Sequence, residues 1–172
     1  MFEEEKLTYR ELNERSNQLA GLLRELGVTP NKIVGVMAER SAEMIIGIMA
    51  VLKSGGAYLP IDPEYPEDRI KYMLEDSGID ILLKKTGRQI NVDLTCIDMG
   101  KQGLTEGRCT DNLPHFGNSS DMAYVIYTSG STKQTKRCHG QSPIDCKHAV
   151  LEKTIVSIHS SRCNAASAVL CI

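Results

Sequence analysis

The sequence predicts an α/β fold with a mostly parallel sheet and flanking helices. Segments of helical period alternate with short apolar runs between residues 8 and 83, the arrangement that βαβ units produce. Glycines punctuate the pattern at Gly27, Gly55-Gly56 and Gly78. A last apolar run, Met122 to Tyr127, enters a turn of hydroxyl residues, and open α/β sheets take ligands at the carboxyl ends of their strands.

Thr8 suits a helix N-cap, and Glu11 stands where a capping box needs its acid. Leu12, Leu19, Leu22, Leu23 and Leu26 then mark one helical face, which Gly27 stops. Ile33 to Met37 reads as a short buried strand. Ser41 starts a second helix carrying Met44, Ile45, Ile48, Met49 and Leu52, which Gly55-Gly56 ends. Ala57 to Pro60 is the next strand, followed by a proline-rich turn through Pro66. Pro66 suits the first position of a third helix running to about Asp76, with Ile70, Met73 and Leu74 inward. Ser77-Gly78 breaks it, and Ile79 to Leu83 reads as a strand. The pattern weakens from Lys84 to Ser120: Asn91 to Ile97 is one more expected strand, and Gly103 to Ser120 is a polar loop.

At 172 residues the chain has the length of one domain and can bury a real core. Its 41% hydrophobic and 24% charged residues are ordinary for a globular protein, and a net charge of −2 offers no electrostatic case for nucleic acid or an anionic membrane. No apolar run reaches the ~18 residues of a membrane span. Met1 to Lys6 lacks a basic-then-apolar signal pattern, so the expected location is cytoplasmic. The six cysteines are not read as a disulfide framework, because Cys138, Cys146, Cys163 and Cys171 crowd the end of the chain.

The candidate site is Thr128, Ser129, Gly130, Ser131 and Thr132. Their hydroxyls and amide N–H groups, around a glycine that lets the backbone approach closely, suit a phosphate-cradling loop. It is not the Walker pattern, since no Gly-Lys-Ser/Thr follows at the required spacing. Alone, such a string also describes an ordinary turn.

Three segments occur in order: Leu7-Thr-Tyr-Arg-Glu-Leu12, then Leu52 to Pro63 (Leu-Lys-Ser-Gly-Gly-Ala-Tyr-Leu-Pro-Ile-Asp-Pro), then Tyr124 to Thr132 (Tyr-Val-Ile-Tyr-Thr-Ser-Gly-Ser-Thr). They resemble the first three core motifs of the adenylation domains of non-ribosomal peptide synthetases, in the adenylate-forming superfamily. Glu39-Arg-Ser-Ala-Glu-Met44 and Asp62 to Arg69 are similar too. The resemblance implies the N-terminal part of the large subdomain of an adenylate-forming enzyme, left incomplete. It implies ATP and Mg²⁺ as cofactors, with Thr128 to Thr132 embracing the β- and γ-phosphates of Mg·ATP. A substrate carboxylate, typically of an amino acid, attacks ATP to give an acyl-adenylate and pyrophosphate. The phosphopantetheine thiol of a carrier domain then takes the acyl group, beside a condensation domain. Acyl-CoA ligases share the loop and are the alternative within the superfamily. In that family the substrate pocket, the adenine contacts and the catalytic lysine lie beyond the third motif, so this chain alone is expected to be inactive.

The likeness stops at Thr132. The family continues Gly-Lys-Pro-Lys-Gly-Val-Met, whereas Lys133-Gln-Thr-Lys-Arg-Cys-His139 stands here. Codons compatible with those residues, read one base later, permit Ser-Lys-Pro-Lys-Gly-Val-Met. Two regions are therefore expected: residues 1–132 from the adenylation domain, and residues 133–172 as out-of-frame translation, poorly packed or disordered. On that reading Lys136 matches the family's loop lysine by accident. Cys138, His139, Cys146 and His148 match no usual zinc spacing. Outside the family reading stand a non-enzymatic metal-binding module and a small nucleotide-binding protein. Glu39 and Arg40 are expected to form a surface ion pair.

Overall fold

The computed structural model describes residues 7–90, 92–101, 103–128, 136–139 and 169–170. In chain order the elements are β1 (Leu7–Thr8), α1 (Tyr9–Glu25), β2 (Ile33–Ala38), α2 (Ala42–Ser54), β3 (Ala57–Ile61), α3 (Glu67–Ser77), β4 (Ile81–Lys85), β5 (Thr95–Asp98), β6 (Val125–Thr128), β7 (Lys136–His139) and β8 (Val169–Leu170). The central sheet has the order β3-β2-β4-β5, and every pairing in it is parallel. The expected α/β class and parallel sheet are what the structure contains.

All six residues of β2 are buried, as a strand covered on both faces requires. Its alternating side chains feed two cores. Val34 and Val36 pack with Leu19, Leu23, Ile46, Ala50 and Leu83 under α1 and α2. Ile33 and Met37 pack with Leu59, Ile70, Met73, Leu82, Val125 and Tyr127 under α3.

Helix starts and stops follow local chemistry. The Glu11 N–H donates to Thr8 Oγ1 at 3.2 Å and the Thr8 N–H donates to Glu11 Oε2 at 2.8 Å, so the expected capping box is present. The Thr8 hydrogen bonds hold the Glu11 carboxyl below the ordinary glutamate value. Ser41 caps α2, accepting from the Met44 N–H. Gly55 and Gly78 end α2 and α3 in the left-handed conformation.

Several expectations move. Leu19 and Leu23 are buried, but Leu26 is 39% exposed, because it caps α1 rather than continuing its inner face. The fully buried stripe of α2 is Ala42, Glu43, Ile46, Gly47, Ala50, Val51 and Ser54, with Met44, Ile45, Ile48, Met49 and Leu52 only half-buried. Pro66 is the N-cap of α3 and not its first helical residue. β4, β5 and β6 each start later than their apolar runs: Ile79 is buried but precedes the ladder of β4. The 103–120 segment contains neither helix nor strand, as expected.

Gly55 combines a φ of +99° with a backbone neighbour, since an added Cβ would lie 3.0 Å from the Phe116 carbonyl oxygen. Gly55→Ala is expected to lower the unfolding free energy by about 1–3 kcal/mol in urea titrations. An unchanged midpoint would mean that this corner relaxes freely.

Candidate functional site

β6 runs beside β3 in parallel through the bridge Tyr58↔Tyr124, with the Tyr58 N–H donating to the Ala123 carbonyl at 3.1 Å. Its carboxyl end, Thr128, therefore points to the same edge of the sheet as the carboxyl ends of β2, β3, β4 and β5. β7 returns antiparallel along β6, and the register pairs Thr128 with Lys136. Of the candidate loop, Thr128 is the last residue of β6, while Ser129, Gly130, Ser131 and Thr132 lie outside the described residues. Lys136 is at the base of the connection, opposite Thr128 in register. Cys138 and His139 belong to β7; Cys146 and His148 lie outside the described residues.

The strand that carries Thr128 is held from two sides. On one side Tyr127, 7% exposed, donates its phenol proton to Asp76 Oδ2 at 2.5 Å. The Tyr72 ring meets Tyr127 edge-on, with centroids 6.2 Å apart. Asp76 sits in the last turn of α3, where the helix dipole disfavours an acid, and it serves here as an acceptor for a residue next to the loop. Tyr58 and Tyr124 pack with ring centroids 5.8 Å apart, and burial, with Tyr124 nearby, pushes the Tyr58 phenol above its ordinary pKa.

On the other side a strap without regular structure, residues 108–122, leads into β6 across α1 and the end of α2. Arg108 pairs with Glu25, and its carbonyl accepts from Gln18. Asn17 Nδ2 donates to the Thr110 carbonyl at 2.7 Å, and Asn13 Nδ2 and Asn17 Nδ2 both donate to Asn112 Oδ1 at 3.1 Å. Arg24 donates to the Pro114 carbonyl at 2.8 Å and lies over the Phe116 ring. Asn31 receives the Met122 N–H at 2.8 Å.

Behind these amides is Lys53. Its Nζ donates to Asn13 O, Asn13 Oδ1, Ser16 Oγ and Asn17 Oδ1 at 2.7–3.1 Å. All four acceptors are neutral, and burial pulls the Lys53 pKa down to about 8. A second cluster lies at the start of α2. Glu43, 7% exposed, accepts from Lys85 and pairs with Arg15 at 3.5 Å. Burial disfavours its carboxylate, but the Lys85 hydrogen bond and the charges of Lys85 and Arg15 outweigh that and keep its pKa below the ordinary value. The expected Glu39–Arg40 pair is not among the ion pairs of the described residues; Glu43 is the acid of this region that the structure engages.

The parallel sheet, with helices packed on both faces, makes this an α/β protein. Residues 1–139 match the family described as AMP-binding enzyme, and the chain belongs to that family. It is 71% identical over 136 residues to bacitracin synthase 3 of Bacillus licheniformis, which covers 79% of this chain and 2% of that protein. It is 42% identical over 177 residues to a mycosubtilin synthase of Bacillus subtilis, covering 94% of this chain and 7% of that one. The chain thus spans a small fraction of the length of these relatives. A crystal structure of the nonribosomal peptide synthetase FmoA3, bound to α-methyl-L-serine-AMP, superposes with a TM-score of 0.69 at 32% identity, over 77% of this chain and 15% of that one.

Two expected outcomes follow from this geometry. Tyr127→Phe removes the phenol that donates to Asp76, and is expected to cost about 1–2 kcal/mol in urea unfolding; no loss would mean that the pair does not anchor β6. For Lys53 the folded value of about 8 lies below the unfolded ~10.4. The unfolded chain then binds more protons across that window, so stability rises with pH from ~8 to ~10.4. Lys53→Met should abolish that rise in Tm-versus-pH profiles.

Proposed function

We propose that this chain is the front part of an adenylation domain that activates an amino acid in non-ribosomal peptide synthesis, and that Thr128, Ser129, Gly130, Ser131 and Thr132 are its polyphosphate loop. The observation that carries the reading is that β6 ends with Thr128 at the carboxyl edge of a parallel sheet, with Ser129, Gly130, Ser131 and Thr132 next in sequence, within a stretch that matches the AMP-binding family. Similarity to bacitracin synthase 3 and to the aminoacyl-AMP-bound FmoA3 supports the substrate class.

In the proposed reaction a carboxylate oxygen of the amino acid attacks the α-phosphorus of ATP. The bond to the bridging oxygen breaks, pyrophosphate leaves, and an acyl-adenylate remains. The loop's part is to hold the β- and γ-phosphates with fixed dipoles, placing the α-phosphorus for attack and stabilising charge as it develops. Mg²⁺, when bound, offsets phosphate charge. A carrier domain's phosphopantetheine thiol is the acceptor of the acyl group, and a condensation domain is the neighbour that uses it. Among the described residues no helix is long and apolar enough to cross a membrane, and we place the reaction in the cytoplasm.

Residues 133–172 enter the same proposal as translation in a shifted frame. The alignment with the mycosubtilin synthase, which covers 94% of the chain, extends into this region, so the coding DNA is the direct arbiter. Resequencing across the Thr132 codon is expected to reveal a one-base change that restores Ser-Lys-Pro-Lys-Gly-Val-Met; an intact frame overturns the shift. The 172-residue chain is expected to give no amino-acid-dependent ATP–pyrophosphate exchange, and measurable exchange would refute its inactivity. The corrected, extended domain should exchange, and Thr128→Ala with Ser129→Ala should reduce that rate at least ~100-fold. Full exchange in that variant would remove the loop from the proposal.

A further inference from the structure

The strap is held by side-chain amides whose orientation is itself set from behind. We infer that the Lys53 ammonium is a latch setter: it fixes Asn13 and Asn17 with their oxygens inward and their NH₂ groups outward, and those outward groups hold the strap 108–122 against α1. The inference is independent of the reaction proposed above.

A side-chain amide has a donor end and an acceptor end and can be turned over with little change of shape. An ammonium has donors only. Lys53 Nζ lies 2.7 Å from both Asn13 Oδ1 and Asn17 Oδ1, so each amide must keep its oxygen toward Lys53. Both Nδ2 groups then face the strap, where every group that they meet is an acceptor: the Thr110 carbonyl and Asn112 Oδ1. Turned over, either amide would set its NH₂ against the ammonium, and Asn17 would in addition set its oxygen against the fixed Thr110 carbonyl. Asn17 is fully buried, so water cannot relieve that mismatch. Ser16 Oγ donates to the Asn13 carbonyl and accepts from Lys53, closing the same network.

The lysine lies on α2, the amides on α1 and the acceptors on the strap. Three pieces of chain distant in sequence are joined through one charge. Arg24 strengthens the joint, donating to the Lys53 and Ser54 carbonyls and to the Pro114 carbonyl with the same guanidinium. The strap continues directly into β6, so release of the latch loosens the strand that carries Thr128.

Two near-isosteric variants test the polarity of the latch. Asn17→Asp gives Lys53 a carboxylate partner but removes the donor to Thr110. Asn112→Asp keeps an acceptor at an exposed position, facing both amide donors. The readout is hydrogen–deuterium exchange of the full chain, taken as the ratio of strap amides (108–122) to core amides of β2 and α2. Asn17→Asp is expected to raise that ratio about tenfold, the worth of a buried hydrogen bond lost, and Lys53→Met to do the same. Asn112→Asp should leave it unchanged or lower it. A ratio that stays at the wild-type value in Asn17→Asp, including the case where strap and core open together in global unfolding, overturns the inference. So does an Asn112→Asp ratio that rises as far as that of Asn17→Asp.

Discussion

Burial of β2 on both faces is the constraint from which this architecture follows. A parallel strand cannot be closed by a tight hairpin, so each neighbour must return through a crossover, and the crossover helices cover the faces. Here β2 pairs with β3 on one side and β4 on the other. The chain supplies α2 for one crossover and α3 for the other, and they lie on opposite faces, each over its own core. Gly35 is part of the same constraint. On the α3 face of β2, a Cβ there would come within 2.7 Å of Ile79 and Leu82 side-chain atoms, so the two flanking residues of that core meet across a bare backbone.

Once the sheet is parallel, all its carboxyl ends lie on one edge, the edge at which open α/β sheets in general take ligands. β6 joins that edge by little more than one bridge to β3. Its position depends on side-chain chemistry: Tyr127 on Asp76 toward α3, and the polar contacts of the strap toward α1 and α2. The order is hierarchical. Apolar burial places the sheet and seats Val125 and Tyr127 of β6 in the core under α3, and hydrogen bonds with defined donors and acceptors then fix the strand that bears Thr128.

What was legible in the sequence divides along the same line. The Thr8–Glu11 box, the Ser41 cap and the Gly55 and Gly78 stops were readable because each is a local arrangement within a few residues. The alternation of elements was readable because burial leaves a period. Boundaries slipped where burial and hydrogen bonding part company: Ile79 is in the core, yet the β4 ladder begins at Ile81. The inner face of α2 was obscured because the helix is apolar nearly all round, and its small residues, Ala42, Gly47, Ala50 and Ser54, are the ones that fit closest. Nothing in the sequence pairs Lys53 with Asn13 and Asn17, since the partners are distant and of unremarkable type. Asp76 did carry a signal, an acid at the wrong end of a helix, and the structure supplies its purpose in the Tyr127 phenol.

A charge among neutral oxygens differs from an ion pair in what it specifies. An ion pair such as Lys71–Glu75 on the surface is satisfied over a range of geometries and stabilises little. The buried Glu43 cluster is more demanding, but its carboxylate still accepts from any direction its cations approach. Lys53 is surrounded by dipoles that have two ends, and it orients them. That converts a charge on α2 into a pattern of donors on the outer side of α1, where the strap's carbonyl and amide oxygens complement it. A carboxylate in place of either amide oxygen would satisfy the lysine better and specify the strap worse. The choice of asparagine at positions 13 and 17 is therefore a choice of specificity over pairing strength, made at the place where an irregular segment must be held in register with the strand that follows it.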